Sequence, residues 1–329
     1  MPMAGSAGSL CAACIVAALS WPVHAQQQYP SRPIRLLLGF GPGGATDVVA
    51  RFYAQKWTEL LKTSVVVENR PSAGQLIAIK TTMSATPDGH TLFLGSGSAF
   101  SIGPGVAGDL PYDPLKDLAL IGLVSTAPGV MIVAPSLPVR TVQELIEYAK
   151  QNPTKLNYAS SGIGSASHLQ TEYFMQLTGV KMTHIPYRSA ADIVRELQVG
   201  TAHFGLTPLE ASVASVASGR VRAIVGTGAR RNKAMPDVPS IGEAGVKGLE
   251  GIDPYTYYGL AGPPNLPQAI IARLSETINT MWKNPDTVAH VREKLFNEPV
   301  TGTPESFRKF IETDIVKWSK LRGLVKLGE

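Results

Sequence analysis

The sequence predicts an α/β protein built as two lobes, and three observations carry that prediction. Apolar runs of strand length alternate with segments of helical periodicity. The alternation falls into two blocks, and the chain returns to helices after a last apolar run at 257–260. Each block also holds a strand that enters a small-residue loop and then a helix: GFGPGGATD at 39–47 and SSGIGSASH at 160–168.

In the first block, 34–38 (IRLLL) reads as a strand, and Val48, Phe52 and Leu60 recur at helical spacing after it. Residues 65–67 form a second strand. Residues 74–84 read as a helix ended by the turn Thr86-Pro87-Asp88-Gly89, 91–94 as a third strand, and 95–98 as its exit loop. Strands at 120–124 and 130–133 flank Thr126-Ala127-Pro128-Gly129. The second block opens at Thr141, whose spacing to Glu144 is that of a capping box. A strand at 156–159 and a helix marked by Leu169, Tyr173 and Leu177 follow. Then come a strand at 182–185, a helix at 191–199, a strand at 203–206, a helix at 210–218 and a strand at 221–225. Pro267, Pro285 and Pro304 stand at the first turns of three closing helices. The alternation implies mostly parallel sheets. Two such blocks and a return imply two crossovers, near 124–129 and 251–257. Lobe 1 is then 26–124 with 257–329, and lobe 2 is 125–256.

Residues 1–25 read as a secretory signal. The apolar centre, 10–19, is too short to span a bilayer, and Val23 and Ala25 put small residues at −3 and −1 of a cleavage site after Ala25. The segment departs from the usual pattern in having no Lys or Arg before its apolar centre. Both cysteines, Cys11 and Cys14, fall inside it, so the exported chain has no thiol for disulfides, zinc or nucleophilic catalysis. The roughly 300 residues beyond it suit two domains. The formal charge of +5 lies entirely beyond residue 25. It favours small anions modestly, and without a basic run or Arg/aromatic interleaving it does not point to nucleic acid.

Glycines 39, 41 and 44 spell G-x-G-x-x-G after a strand, and Glu68 closes the next one, which is the dinucleotide-binding fingerprint. An exported protein meets little NAD. Pro42 also removes an amide from the loop, and Asp47 would oppose a phosphate at the helix start. What the two glycine loops share is the capacity to aim backbone N–H groups, backed by a helix N-terminus, at an anion.

Seven segments, in order, carry a resemblance: YPSRPIRLLLGFGPGGATDVVAR, VVVENRP, TPDGHTLFLG, LPYDPLKDLALIGLV, LNYASSGIGSASHL, MTHIPYR and MPDVPSIGEAG. Together they resemble the Bug receptors, the TctC-like extracytoplasmic solute receptors of tripartite tricarboxylate transporters, over 29–329. The resemblance implies a type II periplasmic-binding-protein fold, two α/β lobes closing on a ligand in the cleft between them, with no catalysis and no cofactor. It implies a periplasmic monomer that takes a small carboxylate and hands it to membrane permease subunits. In the family, loops of both lobes grip carboxylates. The matching positions are Phe40, Gly43, Gly44, Ala45, Thr46 and Asp47 in lobe 1, and Ser160, Ser161, Gly164, Ser165 and His168 in lobe 2; Ser96 and Ser98 follow the third strand toward the same cleft. The sequence departs from the family at Ser72-Ala73-Gly74-Gln75-Leu76, at Arg188-Ser189 and at Phe204-Gly205-Leu206-Thr207. Arg188 offers a charged clamp for a second carboxylate, and Thr207 lies at a strand exit where side chains select the ligand. These changes favour a dicarboxylate or an aromatic carboxylate.

Other readings are weaker. No G-x-S-x-G, P-loop or H-E-x-x-H occurs, and the histidines at 90, 168, 184, 203 and 290 show no metal spacing. The remaining alternatives are an NAD-dependent oxidoreductase, an exported hydrolase using His168 with a nearby serine, and a ligand-sensing receptor that signals to a sensor kinase.

Overall fold

The computed structural model of the protein describes Met1 and residues 29–107, 109–228, 230–252 and 255–323. Nearly all of the expected signal segment, with Cys11 and Cys14, lies outside the described residues.

The first half of the chain runs β1 (Ile34–Leu38), α1 (Ala45–Leu61), β2 (Val65–Asn69), α2 (Leu76–Met83), β3 (Thr91–Ser96), α3 (Gly103–Ala107) and β4 (Ala119–Ala127). Only Pro128 separates β4 from β5 (Gly129–Val133). Then follow α4 (Val142–Gln151), β6 (Asn157–Ser160), α5 (Ala166–Thr178), β7 (Thr183–Pro186), α6 (Ala190–Val199), β8 (Phe204–Pro208), α7 (Leu209–Ala217) and β9 (Arg222–Gly226). The chain ends with β10 (Thr256–Gly262), α8 (Gln268–Met281), α9 (Pro285–Lys294), β11 (Glu298–Pro299) and α10 (Pro304–Ser319).

Two sheets result, ordered β11-β4-β10-β3-β1-β2 and β7-β6-β8-β5-β9. β1 pairs in parallel with β2 and β3, and β6 with β7 and β8. β10 runs against both of its neighbours, β3 and β4, and β5 against both of its own, β8 and β9. These reversed strands are the ones that carry the chain from one sheet to the other. The expected mostly parallel sheets are thus not found: among the described residues four strand pairings are parallel and five antiparallel, because β5, β10 and the short edge strand β11 run against their neighbours.

β3 and β5 are buried on both faces, which is why they read as apolar runs, while β1 exposes Arg35 between buried neighbours. On α1 the buried stripe is Val49, Tyr53, Trp57 and Leu61. Val48 is exposed and Phe52 and Leu60 only half-buried, so the spacing noted in the sequence marks the neighbouring face. Phe52 stacks instead on His290 of α9 at 4.5 Å. The Thr141 side chain accepts the Glu144 N–H as the capping box predicts, while the Glu144 carboxylate accepts from Arg140 N–H rather than from Thr141. Gly95 and Ser96, expected in a loop, extend β3. A small core of Ile102, Val106, Leu169, Trp318 and Leu321 joins α5 to the first-sheet unit. There Tyr173 meets Trp318 edge-on at 5.7 Å.

Candidate ligand-binding site

The loop between β1 and α1 is shaped from beneath by Asp47, which is 3% exposed. Its Oδ2 accepts hydrogen bonds from the Gly43 N–H (3.0 Å) and from Arg51 Nε (2.9 Å), and its Oδ1 accepts from Asn69 Nδ2 (2.9 Å). Asn69 also donates to the Phe40 carbonyl (3.0 Å), tying the loop to the end of β2. Burial pushes the Asp47 carboxyl up, but hydrogen bonds from Arg51, Gly43 and Asn69 outweigh it and hold it below its usual range. Gly43 takes φ +80°, which a side chain would strain. Gly44 caps α1 without a side-chain bond, and Ala45 and Thr46 begin the helix. Helix geometry leaves the first-turn amides without intrahelical acceptors, at the positive end of the dipole. The Thr46 hydroxyl lies 3.4 Å from the Tyr258 hydroxyl.

Ser96 and Ser98 are buried, 2.8 Å apart at Oγ, and bridged by Gln75. Gln75 Nε2 donates to both hydroxyls (2.7 and 2.8 Å), and its Oε1 accepts from the Ser96 N–H (3.3 Å). It does so from a left-handed backbone, φ 63°.

The second loop is a hydroxyl network. Ser165 caps α5, accepting the His168 N–H and donating to the Gly162 carbonyl (2.6 Å). Ser167 accepts the Ser161 N–H (2.9 Å) and lies 3.0 Å from the hydroxyls of both Ser161 and Ser165. The Gly164 N–H donates to His168 Nδ1 (3.1 Å), so the neutral ring carries its proton on Nε2. Burial, reinforced by His184, pushes the His168 imidazole down to about 4. His184 stacks on His168 at 4.3 Å and on Tyr158 at 4.7 Å, and its Nε2 meets the Ser160 hydroxyl at 2.6 Å. Ser160 is fully buried and its partner is His184, not His168. The histidines therefore support the loop as neutral scaffolding, and the serine lacks the exposure a nucleophile requires.

Crossover tyrosines connect the two loops. Tyr258, on β10, meets Thr46, and the Tyr255 hydroxyl bonds the Ser167 side chain. The Tyr255 ring packs on the backbone of Gly129, and its carbonyl accepts from Gln170 of α5 (2.8 Å). The sequence reading missed Gln75, Asn69, Ser167, Tyr255 and Tyr258. Gln75 left a trace there as a departure from the family pattern, and Asn69 and Ser167 fall inside VVVENRP and SSGIGSASH without being singled out.

Of the other expected site residues, Arg188 is exposed in the turn after β7, beside Tyr187, whose N–H donates to the Ser160 carbonyl (2.8 Å). Thr207 is buried at the end of β8, its hydroxyl without a partner among the described residues. Glu68, the acid of the dinucleotide fingerprint, is engaged by Arg35 (2.8 Å) and by Arg70. Among the described residues, no group of three His, Cys, Asp or Glu side chains is placed to hold a metal. None of their helices is long and apolar enough to cross a membrane.

Two sheets, each leading through a loop of amides and hydroxyls into a helix, with crossover tyrosines bonded to both loops, give a two-lobed architecture. A family model described as tripartite tricarboxylate transporter family receptor matches residues 49–326, and the chain belongs to that family. It is 34% identical over 287 residues to a UPF0065 protein of Bordetella pertussis, covering 87% of each chain. The structure of R. palustris Rpa4515 with adipate superimposes with a TM-score of 0.81 at 31% identity, covering 89% of this chain and 97% of that one. The periplasmic binding protein BugD does so with a TM-score of 0.78 at 28% identity, covering 89% and 97%. The family is one of transporter receptors rather than enzymes, and BugD is a periplasmic binding protein.

Proposed function

We propose that this protein captures a small organic carboxylate, a dicarboxylate or an aromatic carboxylate, between its lobes in the periplasm and delivers it to a permease of the tripartite tricarboxylate type. The observation that carries the reading is the pair of loops at 39–47 and 160–168. Each offers helix-terminal amides and small hydroxyls, and crossover tyrosines bond to both. Family membership and the adipate held by Rpa4515 support a carboxylate as the ligand.

In this reading, Phe40, Gly44, Ala45 and Thr46 hold one carboxylate from lobe 1, while Gly43, whose N–H is taken by Asp47, keeps their loop in shape with it. Ser160, Ser161, Gly164, Ser165 and His168 form the facing half, and Ser96, Ser98 and Thr207 line the cleft between them. Arg188, in the turn beside the second loop, clamps a second carboxylate. Ligand touching both loops stabilises the closed arrangement by its differential affinity for it, and the permease recognises that arrangement. The mature chain starts after Ala25 and works as a monomer, with lobes of 26–124 plus 257–329 and 125–256.

Thermal-shift and calorimetric titration of the chain from Gln26 against dicarboxylates, tricarboxylates, aromatic carboxylates, amino acids and NAD tests this. Saturation at about 100 times the dissociation constant adds about 2.7 kcal/mol. The expected outcome is a shift with one carboxylate class, weakened in Thr46→Ala and Ser161→Ala. A shift with NAD alone, or with amino acids alone, overturns the reading.

A further inference from the structure

Three polar side chains near the crossover are shielded from solvent without a hydrogen-bond partner among the described residues. They are the hydroxyls of Thr207 and Thr256 and both carboxylate oxygens of Glu210. Strand register brings them to one place. Thr256 pairs with Ala127 and Pro208 with Gly129, so the start of β10 and the end of β8 meet the two sides of Pro128. The Leu209 N–H donates to the Pro128 carbonyl (3.1 Å), which sets the first turn of α7, and Glu210 with it, against the crossover.

The charge of Glu210 is felt at the hydroxyls of Tyr53, Tyr255 and Tyr258. Tyr258 meets Thr46 of the first loop, and Tyr255 bonds Ser167 of the second. Tyr53 is held by Ser125 at 2.7 Å. Glu210 therefore sits close to the tyrosines that bond the two loops. Among the described residues, no cation pairs with it. β5, β8 and the rest of α7 carry no ionisable side chain, and on α6 Arg195 pairs with Asp192 and Glu196. The exposed Arg230 lines a small cavity with Pro128 and Leu209 but does not bond Glu210. A shielded carboxylate with no cation beside it, and with its own backbone N–H as its one donor among the described residues, is unfavourable as an anion, whereas its neutral form is a donor that needs an acceptor.

We propose that Glu210 is a ligand-contacting residue that works protonated: its carboxylic O–H donates to a carboxylate oxygen of the captured solute, so that capture of the anion holds a proton on Glu210. This rests on the carboxylate reading above. Burial pushes the Glu210 carboxyl up to about 7. Below that pH the acid is ready to donate. Above it, each bound anion requires a proton taken from solvent, because an ionised Glu210 repels the ligand.

The experiment has two arms, each run on the chain from Gln26 and its Glu210→Gln variant, whose amide keeps a donor but does not titrate. In the ligand-free arm, melting temperature is followed from pH 5.5 to 8.5. The wild type is expected to fall relative to the variant as pH rises through 7. Parallel curves overturn the proposal and also show whether the variant folds. In the ligand arm, adipate is titrated calorimetrically at pH 6.5 and 8.5, where its own carboxyls are ionised. Obligatory protonation predicts an affinity about 25-fold weaker at the higher pH, with proton uptake visible as a dependence on buffer ionisation heat. The variant is expected to show neither. A pH-independent wild-type affinity overturns the proposal while leaving the receptor reading intact. No binding of adipate, or of any other carboxylate in the panel, at any pH overturns both.

Discussion

Gln75 sets two forces against each other, and substituting it separates them. Its backbone sits at φ 63°, a left-handed conformation that costs a non-glycine residue about 1 kcal/mol. Against this, the 1%-exposed side chain makes two bonds to the Ser96 and Ser98 hydroxyls and accepts one from the Ser96 amide. At about 1 kcal/mol net each, these outweigh the strain. The two serine hydroxyls already bond each other at 2.8 Å, so neither is left without a partner when Gln75 is removed. Gln75→Ala, which keeps the strain and loses the bridge, is expected to destabilise the ligand-free protein by about 3 kcal/mol. Gln75→Gly, which loses the bridge and relieves the strain, should cost about 2 kcal/mol.

Urea unfolding followed by tryptophan fluorescence and circular dichroism measures both, with an unchanged m-value licensing the comparison. Equal losses in the two variants would refute the strain argument. A loss below about 0.5 kcal/mol in either would refute the bridge.

Two other predictions concern the loops. Asp47→Ala removes an acceptor shared by Gly43, Asn69 and Arg51, and should cost about 2 kcal/mol and lower ligand affinity. Because the Asp47 carboxyl is held below its usual range, its contribution is present above about pH 4 and lost as pH falls further; stability of wild type and variant should therefore converge in acid. His168 is the other: its imidazole is pushed down to about 4, so it stabilises the fold fully above about pH 6.5 and progressively loses that contribution toward pH 4, by about 3 kcal/mol. His168→Asn, which keeps an acceptor for the Gly164 amide, should flatten that acid limb; an unchanged limb would mean that another group causes it.

The pattern of apolar runs marked β3, β5, β8 and β10 because those strands are buried on both faces, whereas β2, β7 and β9 gave apolar runs although they are only partly buried. Its failures have local causes. α1 carries aromatic and aliphatic residues on two faces, one packed on the sheet and one on α9, so spacing alone could not choose between Tyr53 and Phe52. Gly95 looks like a loop residue, yet a side chain there would collide with the Phe93 and Phe100 rings, so its smallness serves crowding inside a strand. The residues that tie the site together were not legible at all. Tyr255, Tyr258, Ser167 and Glu210 matter because segments far apart in sequence meet at Pro128, and nothing in their local pattern announces that meeting.

The glycine loop itself shows why a motif and a function can come apart. G-x-G-x-x-G encodes a backbone that turns amides toward an anion, and this is as useful for a carboxylate as for a pyrophosphate. The difference lies in what the neighbouring acids do. A dinucleotide site needs a free carboxylate at the end of the second strand for the ribose. Here that carboxylate, Glu68, is bonded by Arg35 and Arg70, and the acid at the helix start, Asp47, is folded under the loop with three donors of its own. With both acids engaged, what the loop leaves is helix-terminal amides and the Thr46 hydroxyl, and a second loop of amides and hydroxyls opens α5 beside the other sheet. In the proposed reading, a carboxylate ligand with an acceptor at each end satisfies both loops at once.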